Sequence, residues 1–405
     1  MERTILHVDV NNAFLSWTAV DMLNHGYKLD IREIPSIIGG DQERRSGIVL
    51  AKSPVAKKFG IVTGEPIYFA KKKCNSLEVF PVNFKLFIKF SNDLFDILKS
   101  YSDKIERFSI DECFIDMTNS MRGRSILDIA KEISQRVKTE LGFTVNIGIA
   151  HNKLLAKMAS DFEKPDKIHT LFENEIESKM WTLPVSELFM IGKKTVPKLL
   201  NMGIKTIGDL AHTDQALLIK KFGKHGKLMY EYSNGIDSSE VIEKREPPKS
   251  IGNTVTLPID ILKKDDIFDI IVALIEQVTY RLRKNNMNAN VVTIQLRTSD
   301  FQDFSHQKKL PYATSSTKQI IKTSKELLDE MFNNKLIRLV GVSVGGLESK
   351  ENRQISFFED DSSKDDKLDT VLDELKAKFG YSTVVRGSKL KVSKFVEGKD
   401  NKIED

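Results

Sequence analysis

The spacing of apolar and polar residues divides the first part of the chain into alternating strands and helices. Residues 4 to 10 are almost continuously apolar, which is typical of a strand buried on both faces. Apolar residues recur later at helical spacing, at Ile126, Ile129, Ile133, Val137 and Leu141. Between these segments, residues 105 to 117 form two short apolar stretches broken by a polar turn, as in a hairpin. We therefore expect one α+β sheet with helices on a single face.

Three other segments follow similar rules. Phe14 to Leu23 reads as a helix, and residues 34 to 81 form a small basic subdomain with strand-like pieces and a short helix closed by Gly60. Residues 166 to 235 are mainly helical, with glycine-containing turns. The first part of the chain is therefore expected to contain a sheet, a small subdomain and a helical region.

A charged, proline-bearing stretch at residues 241 to 250 indicates a linker before a second module. The predicted elements of that module are a strand at 251–257, a helix at 267–284, strands at 291–298 and 308–312, a helix at 317–332 and a strand at 336–344. Beyond it the chain becomes polar, with one amphipathic helix marked by Leu368, Val371, Leu372, Leu375 and Phe379. The pattern predicts a compact four-stranded α+β module followed by a polar tail.

Composition limits the class of protein. A chain of 405 residues exceeds the size of one hydrophobic core, so two or more domains are expected. We expect a cytoplasmic protein without a membrane segment, since no stretch approaches the ~20 apolar residues of a spanning helix and Met1 leads directly into a strand. Cys74 and Cys113 give no disulfide framework and no zinc cluster. The net charge of +5 is compatible with nucleic-acid binding but does not establish it.

Candidate chemistry lies at the ends of two predicted strands. Asp9 ends the first strand, and Asp111 and Glu112 follow Ser109 at the predicted hairpin tip. Mg²⁺ prefers carboxylate oxygens together with substrate phosphates, so these residues suit chemistry on a nucleoside triphosphate. Asp-Glu pairs are common, and successive strand residues point to opposite faces, so the carboxylates converge only if the strand turns there.

Two glycine-containing turns followed by basic residues are candidate sites for phosphate groups. They are Ile191-Gly192-Lys193-Lys194 and Phe222-Gly223-Lys224-His225-Gly226. Backbone amides at a helix N-terminus bind phosphate, and such turns hold a DNA backbone without reading its sequence. The alternative is two ordinary connections between helices.

Taken in order, these residues resemble the Y-family DNA polymerases, the translesion group, and among them the bacterial DNA polymerase IV type. The similarity runs from Ile5 to about Leu347. It implies an α+β multidomain fold shaped like a right hand. The implied domains are a palm (1–10 and 77–165), fingers (11–76), a helical thumb (166–240), a linker (241–250), a little finger (251–348) and a tail (349–405).

The resemblance assigns roles to the residues at the strand ends. It implies that Asp9, Asp111, Glu112 and the backbone carbonyl of Val10 bind two Mg²⁺ ions, with Glu112 close to the primer 3′-hydroxyl. Phe14, five residues after Asp9, corresponds to the steric gate that rejects a ribose 2′-hydroxyl. Judged without Asp9, Phe14 is more often an ordinary core aromatic at a helix start.

Nucleotide contacts are implied for Ser53, Lys57 and Lys164. Lys164 matches the lysine that reaches the triphosphate, although an exposed lysine before a proline is usually only solvated. The chain departs from the family where many relatives have a tyrosine and an arginine, since it carries Pro54 and Lys57. Lysine lacks the bidentate fork of arginine, so geometry at the triphosphate is expected to differ.

DNA contacts are implied for both the thumb and the little finger. In the thumb they are Gly192, Lys193, Lys194, Gly223 and Lys224, with Met190 standing where a glycine usually opens the first turn. In the little finger the available basic residues are Arg245, Lys249, Arg281, Arg283, Lys284, Arg297 and Arg338, of which Arg245, Arg297 and Arg338 are the chosen candidates. Any one of them is by default a solvated surface residue.

A five-residue segment of the tail resembles the peptide by which such polymerases bind the sliding clamp (β-clamp). It comprises Gln354, Ile355, Ser356, Phe357 and Phe358. Glutamine and two aromatic side chains can anchor in an apolar pocket with little buried area. The expected partners are therefore primer-template DNA, dNTPs and the clamp, with the chain itself a monomer.

The resulting hypothesis is template-directed, poorly processive and low-fidelity DNA synthesis without proofreading, used to pass lesions. Three alternatives stay open. They are a catalytically silent, clamp-recruited DNA-binding protein, a palm-type nucleotidyl cyclase, and the catalytic subunit of a mutasome that needs accessory proteins.

Overall fold

The computed structural model describes residues 3–40, 47–243, 247–350, 363–380 and 383–387. The chain forms two compact units. The first unit comprises Met1–Gly39, Val49–Glu65 and Phe69–Arg245, and the second comprises Gly40–Ile48, Pro66–Tyr68 and Glu246–Asp405. In the described part of the chain, no helix combines the length and the apolar character needed to cross a membrane.

Ten helices and eight strands occur among the described residues up to residue 233. In chain order they are β1 (Ile5–Val10), α1 (Ala13–Asn24), β2 (Ser36–Gly39), β3 (Val49–Lys52), α2 (Pro54–Lys58), α3 (Ile67–Lys73), β4 (Glu78–Pro81), α4 (Phe84–Lys99), β5 (Ile105–Arg107), β6 (Glu112–Asp116), α5 (Ile126–Arg136), β7 (Val145–Ala150), α6 (Lys153–Asp161), β8 (Ile168–Thr170), α7 (Val196–Leu200), α8 (Ile207–Ala211), α9 (Gln215–Phe222) and α10 (Lys224–Ser233). Short 3₁₀ and π turns connect some of them, and the stripe that begins in α5 continues through a π turn at Val137–Leu141.

The central sheet of the first unit has the strand order β5-β6-β1-β7-β8. Strand β1 lies in the middle, pairs antiparallel with β6 and β7, and is buried at every position. The continuous apolar run predicted this burial, because a strand covered on both sides has no solvent face. Strands β5 and β6 form the predicted hairpin.

Helices cover both faces of this sheet, so the expectation of helices on a single face was wrong. Leu6, Val8 and Val10 pack into a core shared with α1, α4 and α5. Ile5 points to the opposite face, where Leu154 of α6 packs. A central strand that is buried on both faces requires cover on both, so its own sequence pattern already conflicted with a one-sided arrangement.

A second, three-stranded sheet has the order β3-β2-β4. Strand β4 pairs parallel with β2, so this sheet extends to Pro81, beyond the predicted end of the fingers at residue 76. Helix α1, which lies within the predicted fingers, contributes Leu15 and Trp17 to the core of the central sheet. Contacts distant in sequence, rather than local pattern, decide which sheet these segments join.

The second unit contains the predicted four-stranded module. Its elements are β9 (Ser250–Ile261), α11 (Lys264–Lys284), β10 (Met287–Thr298), β11 (Asp303–Thr314), α12 (Thr317–Met331) and β12 (Ile337–Ser349), followed by α13 (Ser363–Phe379). The strands pair antiparallel in the order β11-β10-β12-β9, and helices α11 and α12 pack on the apolar side of the sheet. Every predicted element of this module is present, with the strands longer than predicted.

Helix α13 docks on this module through charged residues. Asp369 and Asp373 bind the guanidinium of Arg283, and Asp369 also accepts a hydrogen bond from the backbone N–H of Thr317 at the start of α12 (2.9 Å). Of the predicted apolar stripe of α13, Leu368, Val371 and Phe379 are exposed, while Leu372 and Leu375 are half-buried. Arg283 is largely buried, and a buried guanidinium needs carboxylate partners, which sets this orientation.

Candidate active site

Three carboxylates meet at one edge of the central sheet. Asp9, near the end of β1, stands directly opposite Glu112, the first residue of β6, so their side chains share one face. The N–H of Val10 donates to the carbonyl oxygen of Asp111 (3.0 Å), which fixes the hairpin tip against the end of β1. The strand therefore turns at Ser109–Asp111, as convergence of the carboxylates requires.

Burial and mutual repulsion act on the Asp9 carboxylate, which is only 6% exposed. Burial raises the pKa of Asp9 to about 6, Lys164 opposes this rise, and the charges of Glu112 and Asp111 add to it. Ser109 Oγ donates to Asp111 Oδ1 (2.5 Å) and so holds the third carboxylate in the turn. A cluster of this kind favours the binding of positive charge.

Helix α6 and the loop that follows it present a row of polar groups to these strands. Lys153 binds Glu106 (2.7 Å), Lys157 binds Glu112 (2.7 Å), Ser160 Oγ contacts His7 Nδ1 (2.7 Å), and Lys164 binds Asp9. The spacing of four and three residues places Lys153, Lys157 and Ser160 on one helical face, and Lys164 lies in the loop beyond the helix end at Asp161. Sequence reasoning singled out Lys164 but missed Lys157, whose helical spacing from Lys153 was the available signal.

The donor set fits Mg²⁺, although two of the carboxylates are occupied by lysines. Among the described residues, no three His, Cys, Asp or Glu side chains already stand in a metal-holding arrangement. Glu112 is paired with Lys157, and Asp9 is paired with Lys164. Hard oxygen donors clustered in a partly buried site suit a divalent cation, and the lysines supply the charge that such cations would bring.

The loop that carries Lys164 is held by two buried asparagines. Asn11 donates to Asn146 Oδ1 (3.0 Å) and accepts from the N–H of Asp166 (2.9 Å). Asn146 donates to the carbonyl oxygens of Ser160 (2.9 Å) and Glu163 (2.6 Å). Sequence reasoning missed both residues, because an isolated asparagine in a strand or turn gives no signal of its long-range partners.

Lys164 binds both Asp9 and Asp161 (2.8 Å). Burial acts to lower the pKa of Lys164, but the charges of the two aspartates outweigh it and raise the pKa above its usual value. The side chain is therefore a permanent cation beside the carboxylate cluster.

Phe14 lies in the first turn of α1, where neighbouring rings support it. Its ring is 4.7 Å from that of Phe87 and 5.9 Å from that of Trp17, measured between centroids. Phe14 is only partly buried, while Phe87 and Trp17 are fully buried. One side of the ring is thus packed and the residue is held in place.

Two of the predicted nucleotide-binding residues, Ser53 and Lys57, lie beside the small sheet in different surroundings. Ser53 is buried; its hydroxyl donates to the carbonyl oxygen of Ile34 (2.6 Å) and caps α2 by accepting from the N–H of Ala56 (2.9 Å). The expectation that Ser53 contacts a nucleotide is therefore corrected, because its hydroxyl has no access to a ligand. Lys57 is exposed. The pKa of the neighbouring Lys52 is lowered, mainly by burial and then by the charge of Lys57. Sequence reasoning missed Lys52.

The two thumb turns lie side by side. His225 Nε2 is 3.3 Å from the carbonyl oxygen of Met190, so the turn containing Gly192 neighbours the turn containing Gly223. Met190 has a φ of 73°, a left-handed conformation that a glycine adopts without strain. The basic residues of both turns, Lys193, Lys194 and Lys224, are exposed.

The basic residues predicted to bind DNA from the little finger differ in whether protein groups already hold their side chains. Arg297 forms two hydrogen bonds with Asp303 (2.8 and 2.9 Å), and Arg338 lies 4.8 Å from the ring centroid of Phe301. Arg283 is bound by α13 and cannot also serve DNA. Arg245 and the segment Gln354–Phe358 lie outside the described residues.

The sheet face opposite α11 and α12 carries many small polar residues together with the ion pair of Arg297 and Asp303. A cavity of about 520 Å³ lies on this face, and among its lining residues are Gly252, Thr254, Thr293, Gln295, Gly341 and Ser343. Hydroxyl and amide groups of this kind hydrogen bond to phosphate oxygens without reading sequence.

Comparisons with known proteins agree across most of the chain. Residues 8–161 match the impB/mucB/samB family, residues 248–357 match the C-terminal domain of that family, and residues 187–237 match the thumb domain of DNA polymerase-iota. A DNA polymerase IV from Clostridium acetobutylicum is 48% identical over 387 residues, which cover 95% of this chain and 98% of that protein.

Two solved structures extend the similarity to the fold. A Y-family DNA polymerase chimera superposes with a TM-score of 0.75 at 26% identity, over 85% of this chain and 99% of that chain. An insertion ternary complex of Dbh DNA polymerase gives a TM-score of 0.59 at 25% identity, with the same coverage.

Proposed function

This chain belongs to the Y family of DNA-directed DNA polymerases, and we propose that it copies primer-template DNA past damaged bases by nucleotidyl transfer at Asp9, Asp111 and Glu112. The observation that carries this proposal is the convergence of three carboxylates at one sheet edge, two of them held by lysines. Its support from relatives is broad, because the match to a DNA polymerase IV spans 95% of the chain.

We propose that the carboxylates of Asp9, Asp111 and Glu112, with the backbone carbonyl of Val10, hold two Mg²⁺ ions. When bound, such ions lower the pKa of the primer 3′-hydroxyl and neutralise charge on the triphosphate. Ser109 keeps Asp111 in place, and the burial of Asp9 makes an unneutralised charge there costly.

We propose that Lys164, Lys52 and Lys57 bind the triphosphate. Lys164 is held beside Asp9 by a loop that Asn11 and Asn146 fix, so a phosphate oxygen can replace its carboxylate partner without a large movement. Burial and the nearby charge of Lys57 lower the pKa of Lys52. Each of the two lysines offers a point charge to phosphate.

We propose that Phe14 is the steric gate and that fidelity and processivity are low, without proofreading. The packing of Phe14 on Phe87 fixes the ring, as exclusion of a 2′-hydroxyl requires. Among the described residues, the small sheet β3-β2-β4 has strands of four residues each and is accompanied by the short helices α2 and α3, while α1 packs on the central sheet, which leaves little protein to enclose a nascent base pair.

Primer extension by the purified chain tests the proposal directly. We expect distributive, template-dependent extension with Mg²⁺ and dNTPs on intact and lesion-containing templates, lost by about 10³-fold or more in Asp111→Ala. Asp103→Ala, which removes an exposed carboxylate from the same region, is the matched control and should extend normally. Phe14→Ala should accept rNTPs that the wild type rejects.

The alternatives predict other outcomes of the same assay. DNA binding without extension, even with added clamp, would contradict the proposal in favour of a silent DNA-binding protein. Extension only with accessory proteins would indicate a mutasome subunit, and untemplated conversion of a nucleotide would indicate a cyclase.

We also propose that a monomeric, cytoplasmic enzyme is recruited to the sliding clamp by Gln354–Phe358. The double variant Phe357→Ala/Phe358→Ala should lose clamp binding in surface plasmon resonance, while its clamp-free primer extension stays unchanged. Equal clamp binding by the variant and the wild type would reject this assignment.

A further inference from the structure

Lys157 makes a contact that the proposed chemistry leaves unexplained. Its side chain is only 10% exposed, and its ammonium donates to Glu112 Oε1 at 2.7 Å. The same ammonium lies 5.6 Å from the ring centroid of Phe108 and 5.4 Å from that of Phe189, and the two rings are 6.1 Å apart. Lys157 is therefore held by one carboxylate and two aromatic rings.

The two rings belong to different parts of the first unit. The N–H of Phe108 donates to the carbonyl oxygen of Glu112 (3.0 Å), so Phe108 moves with the hairpin that carries the carboxylates. Phe189 precedes Met190 and the first thumb turn, and it stacks on Tyr232 of α10. A single ammonium thus joins the carboxylate cluster to the thumb.

Charge balance alone does not explain this arrangement. One turn earlier on α6, Lys153 forms an equivalent ion pair with Glu106 and lies over Phe114 (5.0 Å). That pair lies outside the carboxylate cluster. Among the described residues, its further hydrogen-bond partners are the carbonyl oxygen of Glu240 (3.3 Å from the Lys153 ammonium) and the N–H of Ile242 (2.9 Å from Glu106), rather than an aromatic residue of the thumb turns. The two lysines therefore form a natural matched pair, since both neutralise a partly buried glutamate but only Lys157 touches both Glu112 and Phe189.

We propose that Lys157 is a positioning residue that fixes the orientation of Glu112, and that Phe189 of the thumb holds Lys157 in place. Lys157 binds one oxygen of Glu112 and so restricts rotation of a carboxylate that must be placed within a fraction of an ångström. Because cation–π contact holds the ammonium from the thumb side, displacement of the thumb weakens the restraint. This inference rests on the proposed function of Glu112.

Single-turnover primer extension separates positioning from binding. In Lys157→Met, we expect the maximal extension rate to fall by about 10- to 100-fold, with the dissociation constants for dNTP and DNA changed by less than about twofold. Lys157→Arg should recover part of the rate, because a guanidinium can bind the same oxygen. Lys153→Met should lose comparable stability in urea yet keep the wild-type rate within about twofold.

The link to the thumb is tested by Phe189→Leu, which preserves an apolar side chain. We expect its extension rate to fall by about three- to tenfold, and the double variant with Lys157→Met to be no slower than Lys157→Met alone. Additive losses in the double variant, a weaker dNTP affinity with an unchanged rate in Lys157→Met, or an equal loss of rate in Lys153→Met would each overturn the inference. Inactivity of the wild type would instead reject the proposed function, so the two failures are distinguishable.

Discussion

The palm sheet of the first unit and the little-finger sheet of the second are both built mainly from antiparallel strands, but they treat charge in opposite ways. In the palm, helices cover both faces and buried lysines and carboxylates are paired between α6 and the sheet. In the little finger, helices cover one face, and the open face carries glycine, serine, threonine and glutamine together with one partly exposed ion pair, Arg297 with Asp303. Its buried charge cluster lies instead on α11 and α13.

This difference agrees with the functions proposed above. Chemistry on a triphosphate needs charges held in a low-dielectric site, where their interactions are strong and their positions fixed. A surface proposed to contact the DNA backbone stays open to solvent, where hydroxyl, amide and basic groups can reach phosphate oxygens. A sheet of one kind therefore suits either proposed role, according to whether its second face is covered.

The largest change in stability is expected where α6 closely approaches the palm sheet. A Cβ added to Gly148 would lie 1.9 Å from the carbonyl oxygen of Ala156, a backbone atom that cannot move without the helix. Gly148→Ala should therefore lower the free energy of unfolding by about 4 kcal/mol, above the usual cost of overpacking. Gly345→Ala in the little finger, where a Cβ meets nothing within 4 Å, is the control.

Urea unfolding followed by circular dichroism measures both glycine variants. Equal stability of Gly148→Ala and Gly345→Ala would show that α6 is not held tightly against β7, and the comparison of the two sheets would lose its basis.

The next effect concerns the charge cluster of the second unit. Arg283→Met removes the partner of Asp369 and Asp373 and should cost about 2 kcal/mol, less than a fully enclosed pair, because α13 can move and rehydrate its aspartates. Limited proteolysis should then cleave near α13 faster than in the wild type. Lys284→Met, at an exposed neighbouring position, should change neither measurement; proteolysis unchanged in Arg283→Met would contradict the docking of α13.

A smaller effect separates two exposed residues that share a left-handed backbone. Met190 in the thumb has a φ of 73° and Phe301 in the little finger a φ of 63°. Met190→Gly should raise stability by about 1 kcal/mol through relief of strain. Phe301→Gly should raise stability by less than Met190→Gly, because Arg338 loses the aromatic ring on which it stacks. Thermal unfolding of both variants measures which one gains more stability. A destabilised Met190→Gly would show that the methionine side chain itself stabilises the fold.

The smallest effect concerns DNA affinity. Arg297 is already paired with Asp303, so Arg297→Gln should weaken binding to primer-template DNA by less than about twofold. Asp303→Asn should strengthen binding and steepen its dependence on salt by about one phosphate contact. Fluorescence anisotropy at several salt concentrations measures both, and a large loss in Arg297→Gln would mean that Arg297 exchanges Asp303 for DNA.

Local pattern was sufficient for most of the fold and for the acidic residues of the site. The apolar run around Asp9 predicted a central strand, and the break at Ser109 predicted the hairpin that brings Asp111 and Glu112 to it. Local pattern failed for Ser53, where a cap hydroxyl and a ligand-binding hydroxyl look alike in sequence. It also gave no indication of how α13 docks, because the contacts of Asp369 and Asp373 with Arg283 are distant in sequence.

Periodicity and turn residues act over a few positions, so the amino-acid sequence alone specifies which segments are strands and helices and which residues carry the candidate chemistry. Which charges meet depends on how those elements pack. Lys157 reaches Glu112 across 45 residues, and Arg283 reaches Asp373 across 90. Such partners are chosen by how elements pack and by the cost of leaving a buried charge without a counter-ion, and neither is written in the spacing of residues along the chain.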